Sequence, residues 1–218
     1  RHCIFLLKLL SVASKYDLIY AHDAVGVGLP ALIVSQVYNK PLIVRIGGDL
    51  AWEREADKNK TELSMDEWYK EGRNNNNLFR LSKFVLRHAD SIIVTSTLLK
   101  NLYTKYYRIL ESKIIVIPNP IEKISSEIYE DESEKTMVYA SRLVAYKNLP
   151  VAIRAFAVVA KLHQDFRFII MGDGPELERL KSLAKEIGMA DKVIFTGRIP
   201  QSEVNRNISK SLFTIAPA

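Results

Sequence analysis

Cysteine is almost missing from the 218-residue chain: Cys3 stands alone. A single thiol excludes an intrachain disulfide framework and any cysteine-based zinc site, and it favours a reducing, cytoplasmic setting. Histidine is scarce as well. His2, His22, His88 and His163 are scattered without ligand spacing, so a metal centre built on them is not expected. No apolar run approaches the roughly 20 residues that a membrane-spanning helix needs. The stretch CIFLLKLLSVA is far shorter and carries Lys8. It reads either as a signal-peptide core without an evident cleavage site or as an amphipathic helix packed on a sheet. Solenoid-period repeats are lacking, and the only low-complexity tract is the asparagine run 74–77.

What the chain has is an excess of positive charge: 31 Lys and Arg against 25 Asp and Glu, a net +6. Such a balance suits an anionic partner, whether phosphate groups, an acidic membrane surface or nucleic acid. The cations are spread along the chain and interleaved with acids, not gathered into a stripe with aromatics, which disfavours nucleic acid. With 48% hydrophobic and 26% charged residues, the length suits one large or two small globular domains. The chain opens on Arg1 and closes on SLFTIAPA inside what reads as a strand. It is expected to be a piece cut at both ends.

Short apolar runs alternate with helical stretches. Strands are expected at 16–22, 41–46, 89–95 and 113–117, and helices at 25–38, 77–88 and 97–107, the last capped by Ser96 or Thr97. Residues 119–135, NPIEKISSEIYEDESEK, are polar and acidic and read as a linker. Beyond it, strands at 136–141, 166–171, 192–196 and 212–216 alternate with helices at 149–162, 176–187 and 201–209. Near-continuous apolar strands interleaved with helices indicate parallel sheets covered on both faces. The expectation is an α/β protein of two partial Rossmann-like domains, 1–118 and 136–218, each open at the carboxyl ends of its strands.

Ligands of doubly wound sheets bind outside those carboxyl ends. At the first joint of the second half, Arg142 ends a strand, Lys147 follows, and Asn148 reads as a helix N-cap with Pro150 in the first turn. A guanidinium, an ammonium and a helix N-terminus converging there would hold a diphosphate. The plainer alternative is a pair of solvated loop cations. The next joint carries Gly172-Asp173-Gly174-Pro175, where glycines permit positive φ and close backbone approach to a ligand, or simply a tight turn. The third, VIFTGRIP, repeats the device with Gly197 and Arg198.

IPNPI, YASRLVAYKNLPVAIRAF, FIIMGDGPELERLKSLAKEIGMADKVIFTGRIPQSEV and LFTIAPA together resemble the retaining glycosyltransferases of group 1, of the family 4 type. The resemblance covers nearly the whole chain and is strongest over 136–216. It implies the GT-B fold, two Rossmann-like domains facing each other across a cleft. It also implies transfer of a sugar, with retention and without metal or cofactor, from a nucleotide-diphosphate-sugar donor to a glycan or lipid-linked acceptor. In that family the Arg of a G-R-L strand end and the Lys of a K-G pair hold the donor's diphosphate. These roles fall on Arg142 and Lys147, with Ser141 and Asn148 standing where the family has Gly. The family's F-x-G-x-V loop lies beside the base, which points to Thr196, Gly197, Arg198 and Ile199; Gly172, Asp173 and Gly174 join them as candidate binding residues.

The first half, YDLIYAHDAVGVGLPALIVSQVYNKPLIVRIGGDLAWER, is similar to the middle of the family's acceptor domain. Where that family commonly has a His near the donor sugar, this chain has Gly47-Gly48-Asp49, and RIGGDLAWE resembles a subset carrying G-D-x-A-W-E. Asp49 is then a catalytic candidate, or else a helix cap, with Glu53 nearby. His22, at a strand end, and Asn119, in a PNP segment, either line the cleft or serve structure alone. Trp52, Trp68, Tyr69 and the Asn-rich stretch to Arg80 form either an acceptor or membrane-facing surface or a helix and loop packed on the domain. Two family features are missing: a Gly-rich loop ahead of Tyr16 and an E-x-x-x-x-x-x-x-E motif after the final strand. The piece is therefore expected to be an incomplete catalyst. A sugar-nucleotide epimerase of the same fold and a non-catalytic scaffold stay open. The expected setting is the cytoplasm, with peripheral contact to an anionic inner membrane face left open, and no nucleic-acid partner is expected from the dispersed charge.

Overall fold

The computed structural model describes residues 2–58, 60–61, 63–120 and 134–217. Most of the expected linker, 121–133, lies outside the described residues. The chain forms two compact units, Arg1–Glu55 with Ser64–Ile121, and Ala56–Leu63 with Glu122–Ala218. Segment Ala56–Leu63 thus goes with the second unit, whereas the sequence reading placed it in the first.

The first unit is built on a four-stranded parallel sheet: β1 (Ile19–Ala21), β2 (Leu42–Ile46), β3 (Ser91–Val94) and β4 (Ile114–Val116), neighbours in that order. Leu42, Val44, Ile92 and Val94 are buried, as covered parallel strands require. Helix α1 (His2–Ala13) lies against α2 (Gly28–Tyr38), where the Tyr38 hydroxyl donates to the Leu10 carbonyl. Helix α2 begins at Gly28 and not at 25 because the Asp23 carboxylate accepts from Val25 N and Val27 N, holding 23–27 as a turn. Any Cβ at Gly28 would lie 2.4 Å from the Asp23 carbonyl.

Three further helices show capping chemistry at work. Asn76 accepts from Phe79 N to start α5 (Asn77–His88), and Ser96 accepts from Leu99 N to start α6 (Thr97–Lys105). Ser64 and Glu67 form a capping box on α4 (Met65–Lys70). Helix α3 is Leu50–Ala56. Trp68 and Tyr69 of α4 are buried, and the Trp68 indole donates to Glu55. The aromatic stretch around Trp68 is therefore packed on the domain and does not form an exposed binding surface.

The second unit repeats the scheme with the parallel order β7-β6-β5-β8: β5 (Glu134–Ala140), β6 (Arg167–Met171), β7 (Val193–Gly197) and β8 (Ser211–Thr214). Helices α7 (Leu149–Leu162), α8 (Leu177–Glu186) and α9 (Gln201–Lys210) connect them. The amphipathic pattern of α7 turns Leu149, Ile153 and Phe156 onto Phe168 and Ile170 of β6, with Leu180 of α8 in the same core. β8 pairs in parallel with β5, and Leu212 and Phe213 on it are exposed.

Candidate active site

The carboxyl ends of β5, β6 and β7 are tied to one another by backbone hydrogen bonds. Ser141 N donates to Met171 O, Leu143 N to Asp173 O, Glu176 N to Leu143 O, and Gly172 N to Gly197 O, all at 2.8–3.1 Å. The glycines of GDG make this possible. A Cβ on Gly172, whose φ is +144°, would stand 2.0 Å from the Ser141 carbonyl, and one on Gly174 would stand 2.2 Å from that of Leu143. These glycines therefore admit the backbone of the neighbouring loop on one side, and they still line the cavity described next. Gly174, moreover, is not at positive φ.

Above the stitched loops opens a cavity of about 720 Å³. Arg142, Gly172, Asp173, Gly174, Arg198 and Ile199 line it, over Met171, and Gln201, Val204 and Ile208 of α9 form a wall that sequence reasoning missed. Lys147, Thr196 and Gly197 are not in its lining. Thr196 Oγ1 donates to the Gly197 carbonyl, and Gly197 takes a left-handed φ of +68° at the strand end. The Asp173 carboxylate caps its own turn by accepting from Gly174 N.

Arg142 is exposed, and its Nη1 donates to both carboxylate oxygens of Asp57 at 2.9 and 2.8 Å, while Nη2 donates to the Tyr146 hydroxyl at 3.0 Å. A guanidinium so placed already holds an anionic group. Lys147 closes a short 3-10 turn, Ala145–Lys147, and its ammonium sits over the Tyr146 ring, 5.1 Å from the centroid. Asn148 is not the side-chain N-cap that its identity suggested. Its φ and ψ are +51° and +32°, left-handed, and its side chain makes no cap hydrogen bond. Asn is, after Gly, the residue that best tolerates that conformation, which is why it can stand where the family has Gly.

The first unit carries a second, smaller cavity of about 270 Å³. It brings together His22, Gly47, Gly48 and Glu53 from the expected set and adds Asp23, Arg45, Ser82, Tyr103 and Tyr107. His22 is exposed and meets the Tyr20 ring edge-on. The Glu53 carboxylate folds over Gly48, where a Cβ would be 1.9 Å from Oε1, whereas Gly47 faces open space. Asn119 does not line the cavity but accepts from Arg45 Nη2 at 2.8 Å, so it orients a residue that does. Arg45 carried a sequence signal that went unused: it is the one charge inside the apolar run PLIVRI. Ser82 is 2% exposed, and its hydroxyl has no hydrogen-bond partner among the described residues.

Of the two readings of Asp49, the geometry bears out the helix cap. Asp49 is fully buried, caps α3 by accepting from Trp52 N at 2.9 Å, and accepts from the hydroxyls of Tyr69 at 2.9 Å and Tyr107 at 2.5 Å. Burial pushes the Tyr69 and Tyr107 phenols far above their ordinary range, with the Asp49 carboxylate adding to it, so they stay protonated donors. Tyr103, likewise raised by burial, donates to the Gly48 carbonyl at 2.8 Å. With no exposed surface and with both oxygens occupied, Asp49 is held as a framework carboxylate beneath α3, while Tyr103 bonds the Gly48 carbonyl. Among the described residues, no group of three or more His, Cys, Asp or Glu side chains is arranged to hold a metal ion.

Residues 1–123 match the profile of Glycosyltransferase Family 4, and residues 120–218 that of Glycosyl transferases group 1. Alpha-monoglucosyldiacylglycerol synthase of Streptococcus pneumoniae is 32% identical over 133 residues, 54% of this chain and 30% of that protein. The uncharacterized glycosyltransferase YqgM of Bacillus subtilis is 24% identical over 211 residues, 96% of this chain and 54% of that protein. Among solved structures, Anabaena Alr3699/HepE in complex with UDP and glucose aligns at a TM-score of 0.71 with 17% identity, covering 97% of this chain and 55% of that one. Sucrose-phosphate synthase of Thermosynechococcus elongatus aligns at 0.70 with 18% identity, covering 100% and 54%. The chain spans about half the length, or less, of these relatives.

Proposed function

The chain belongs to glycosyltransferase family 4, with a group 1 carboxyl-terminal half and the GT-B fold, and on that premise we propose that it works in moving a sugar from a nucleotide-diphosphate-sugar donor to a glycan or lipid-linked acceptor. One observation carries the reading. Arg142 stands at the rim of an open cavity at the carboxyl ends of three parallel strands, already grasping a carboxylate. A diphosphate is the natural replacement for that carboxylate, being larger, doubly ionised and matched to a guanidinium. Lys147, on its flexible stem, brings a second cation from the Tyr146 ring to the same group. The start of α7, which has no side-chain cap, adds the positive end of the helix dipole.

In this reading the nucleoside lies along Gly172–Gly174 and the Gly197–Ile199 loop, with the base against the α9 wall. As the glycosidic bond breaks, negative charge grows on the departing diphosphate, and the fixed cations stabilise it where a metal would otherwise stand. The transfer is of the retaining kind that marks the group. Residues 1–118 form the acceptor side, with Arg45, Glu53 and His22 offering polar groups to sugar hydroxyls, and residues 136–218 the donor side. A lipid acceptor fits the similarity to the alpha-monoglucosyldiacylglycerol synthase of Streptococcus pneumoniae, and a nucleotide-sugar donor fits the likeness to a structure in complex with UDP and glucose. A lipid-linked acceptor would bring the protein to the cytoplasmic face of an anionic membrane, as a peripheral partner.

The test is a thermal-shift screen of UDP, GDP and ADP against wild type and Arg142→Ala. One diphosphate is expected to raise the melting point, because a ligand at 100 times its Kd adds about 2.7 kcal/mol of stability. Loss of a charge-assisted bond to phosphate should weaken binding by roughly 10–100-fold in Arg142→Ala. A flat response to all three nucleotides rejects the donor site; an undiminished response in the variant rejects the role of Arg142.

A further inference from the structure

Away from both cavities, α5 carries a stripe of cations. Arg80, Lys83, Phe84, Arg87 and His88 recur at helical spacing and line an open groove of about 400 Å³ in which, among the described residues, there is no carboxylate. Two more cations approach its end. Lys113 Nζ donates to the carbonyls of Arg87 and Ala89, and Arg108 sits at a left-handed φ of +54° on the chain beyond α6. The Lys83 ammonium donates to Tyr106 O; its pKa is held below the usual lysine range, first by burial and then by repulsion from Arg108 and Arg87. The closest acid in sequence, Asp90, is turned to another use, accepting from Leu42 N at 2.7 Å. In the middle of the cations stands Phe84, 49% exposed, its ring 4.5 Å from that of His88. The adjoining helix α2 also leaves Ile33 and Val37 exposed, one turn apart.

We propose that this face of α5 is the surface by which the protein docks on a bilayer of anionic phospholipid, the cations on headgroup phosphates and the Phe84 ring at the headgroup–acyl boundary. The inference rests on the peripheral-membrane reading above and names its surface; it shares no residue with the donor site. Charge complementarity sets the sign of the partner, because crowded cations without acids lose repulsion only against anions. Phe84 sets its kind. A free phosphate would satisfy the cations and leave the ring in water, whereas a membrane interface takes both a basic rim and an apolar wedge.

The test is sedimentation of the whole chain with vesicles of phosphatidylglycerol mixed into phosphatidylcholine, and with phosphatidylcholine alone. Wild type is expected on the anionic vesicles only. Arg80→Glu/Arg87→Glu should lose at least about tenfold in partitioning, since each basic residue at an anionic surface is worth roughly fivefold. Phe84→Ser should lose severalfold with all charges kept. The control Lys161→Glu/Lys185→Glu matches the change in net charge in the second unit and should retain most of the binding. Arg80→Gln/Arg87→Gln serves if the Glu pair misfolds by circular dichroism. The proposal is overturned by equal binding to phosphatidylcholine, by wild-type binding of the stripe variants, or by an equal loss in the control. Release by millimolar glycerol phosphate, or equally tight binding to duplex DNA, would overturn it too, as a small-anion or general polyanion site. The diphosphate thermal shift, measured on the same variants, should be unchanged, so failure here is separable from failure of the donor site.

Discussion

Asp49→Ala separates a buried framework carboxylate from a chemical one. The carboxylate serves Trp52 N, Tyr69 Oη and Tyr107 Oη. Losing the cap of α3 costs about 1 kcal/mol. The two phenols stand 3.1 Å apart and can keep one bond between them, so one buried hydroxyl is left without an acceptor, at about 1–3 kcal/mol. The sum, about 2–4 kcal/mol, is a large part of the 5–15 kcal/mol typical of a domain. Asp49→Asn keeps the acceptor for Trp52 N and a second group that a reoriented hydroxyl can bond, so its cost should be about half. Both tryptophans, Trp52 and Trp68, lie in the first unit, so urea unfolding followed by tryptophan fluorescence reports that unit alone. With a slope of about 2 kcal/mol per molar, the midpoint should fall by roughly 1–2 M in Asp49→Ala. An unchanged midpoint would refute the buried-framework account, and unchanged stability joined to lost sugar transfer would return Asp49 to the reacting centre.

How much of this was legible beforehand depends on how local each cause is. Helices α5 and α7 occupy the ranges their patterns gave, 77–88 and 149–162, because apolar periodicity and terminal residues act within a few positions. Parallel order and the open strand ends followed from the alternation of elements. The fate of Asp49 did not follow. Whether its carboxylate faces a cavity or two phenols is decided by Tyr107, 58 positions away, which no window on the sequence contains. Arg45 with Asn119, 74 positions apart, is the same case. Asn148 failed differently. Asn is favoured both as an N-cap and in the left-handed region, so its identity cannot choose between them; the backbone can. At Gly172 and Gly174 it is the loop 141–143, about 30 positions away, that leaves no room for a side chain, and the local sequence does not contain it.

Three further outcomes bear on these points. Asp57→Ala should tighten diphosphate binding severalfold by calorimetry, since the exposed pair with Arg142 is worth only about 0.2–1 kcal/mol and must be broken; weaker binding would mean that Asp57 orients the guanidinium instead. Gly172→Ala should cost several kcal/mol in a thermal melt of the second unit, because positive φ adds roughly 1–2 kcal/mol to the clash with the Ser141 carbonyl; a melt like wild type would deny that the loops are stitched as described. The last concerns alkaline pH. Tyr69, Tyr103 and Tyr107 have phenol pKa values raised in the fold, above the roughly 10 of an unfolded chain. Above that pH the unfolded chain gives up protons that the folded chain keeps, so the unfolded state binds fewer and stability falls as pH rises. The contribution is therefore intact below pH about 10 and drains away above it, at about 1.4 kcal/mol per pH unit for each phenol. Urea midpoints by tryptophan fluorescence should hold level up to that pH and then drop, and Tyr107→Phe should remove one phenol's share of the slope. A midpoint that stays level past the ordinary tyrosine range would mean that water reaches these hydroxyls, and that the Asp49 cluster is not sealed.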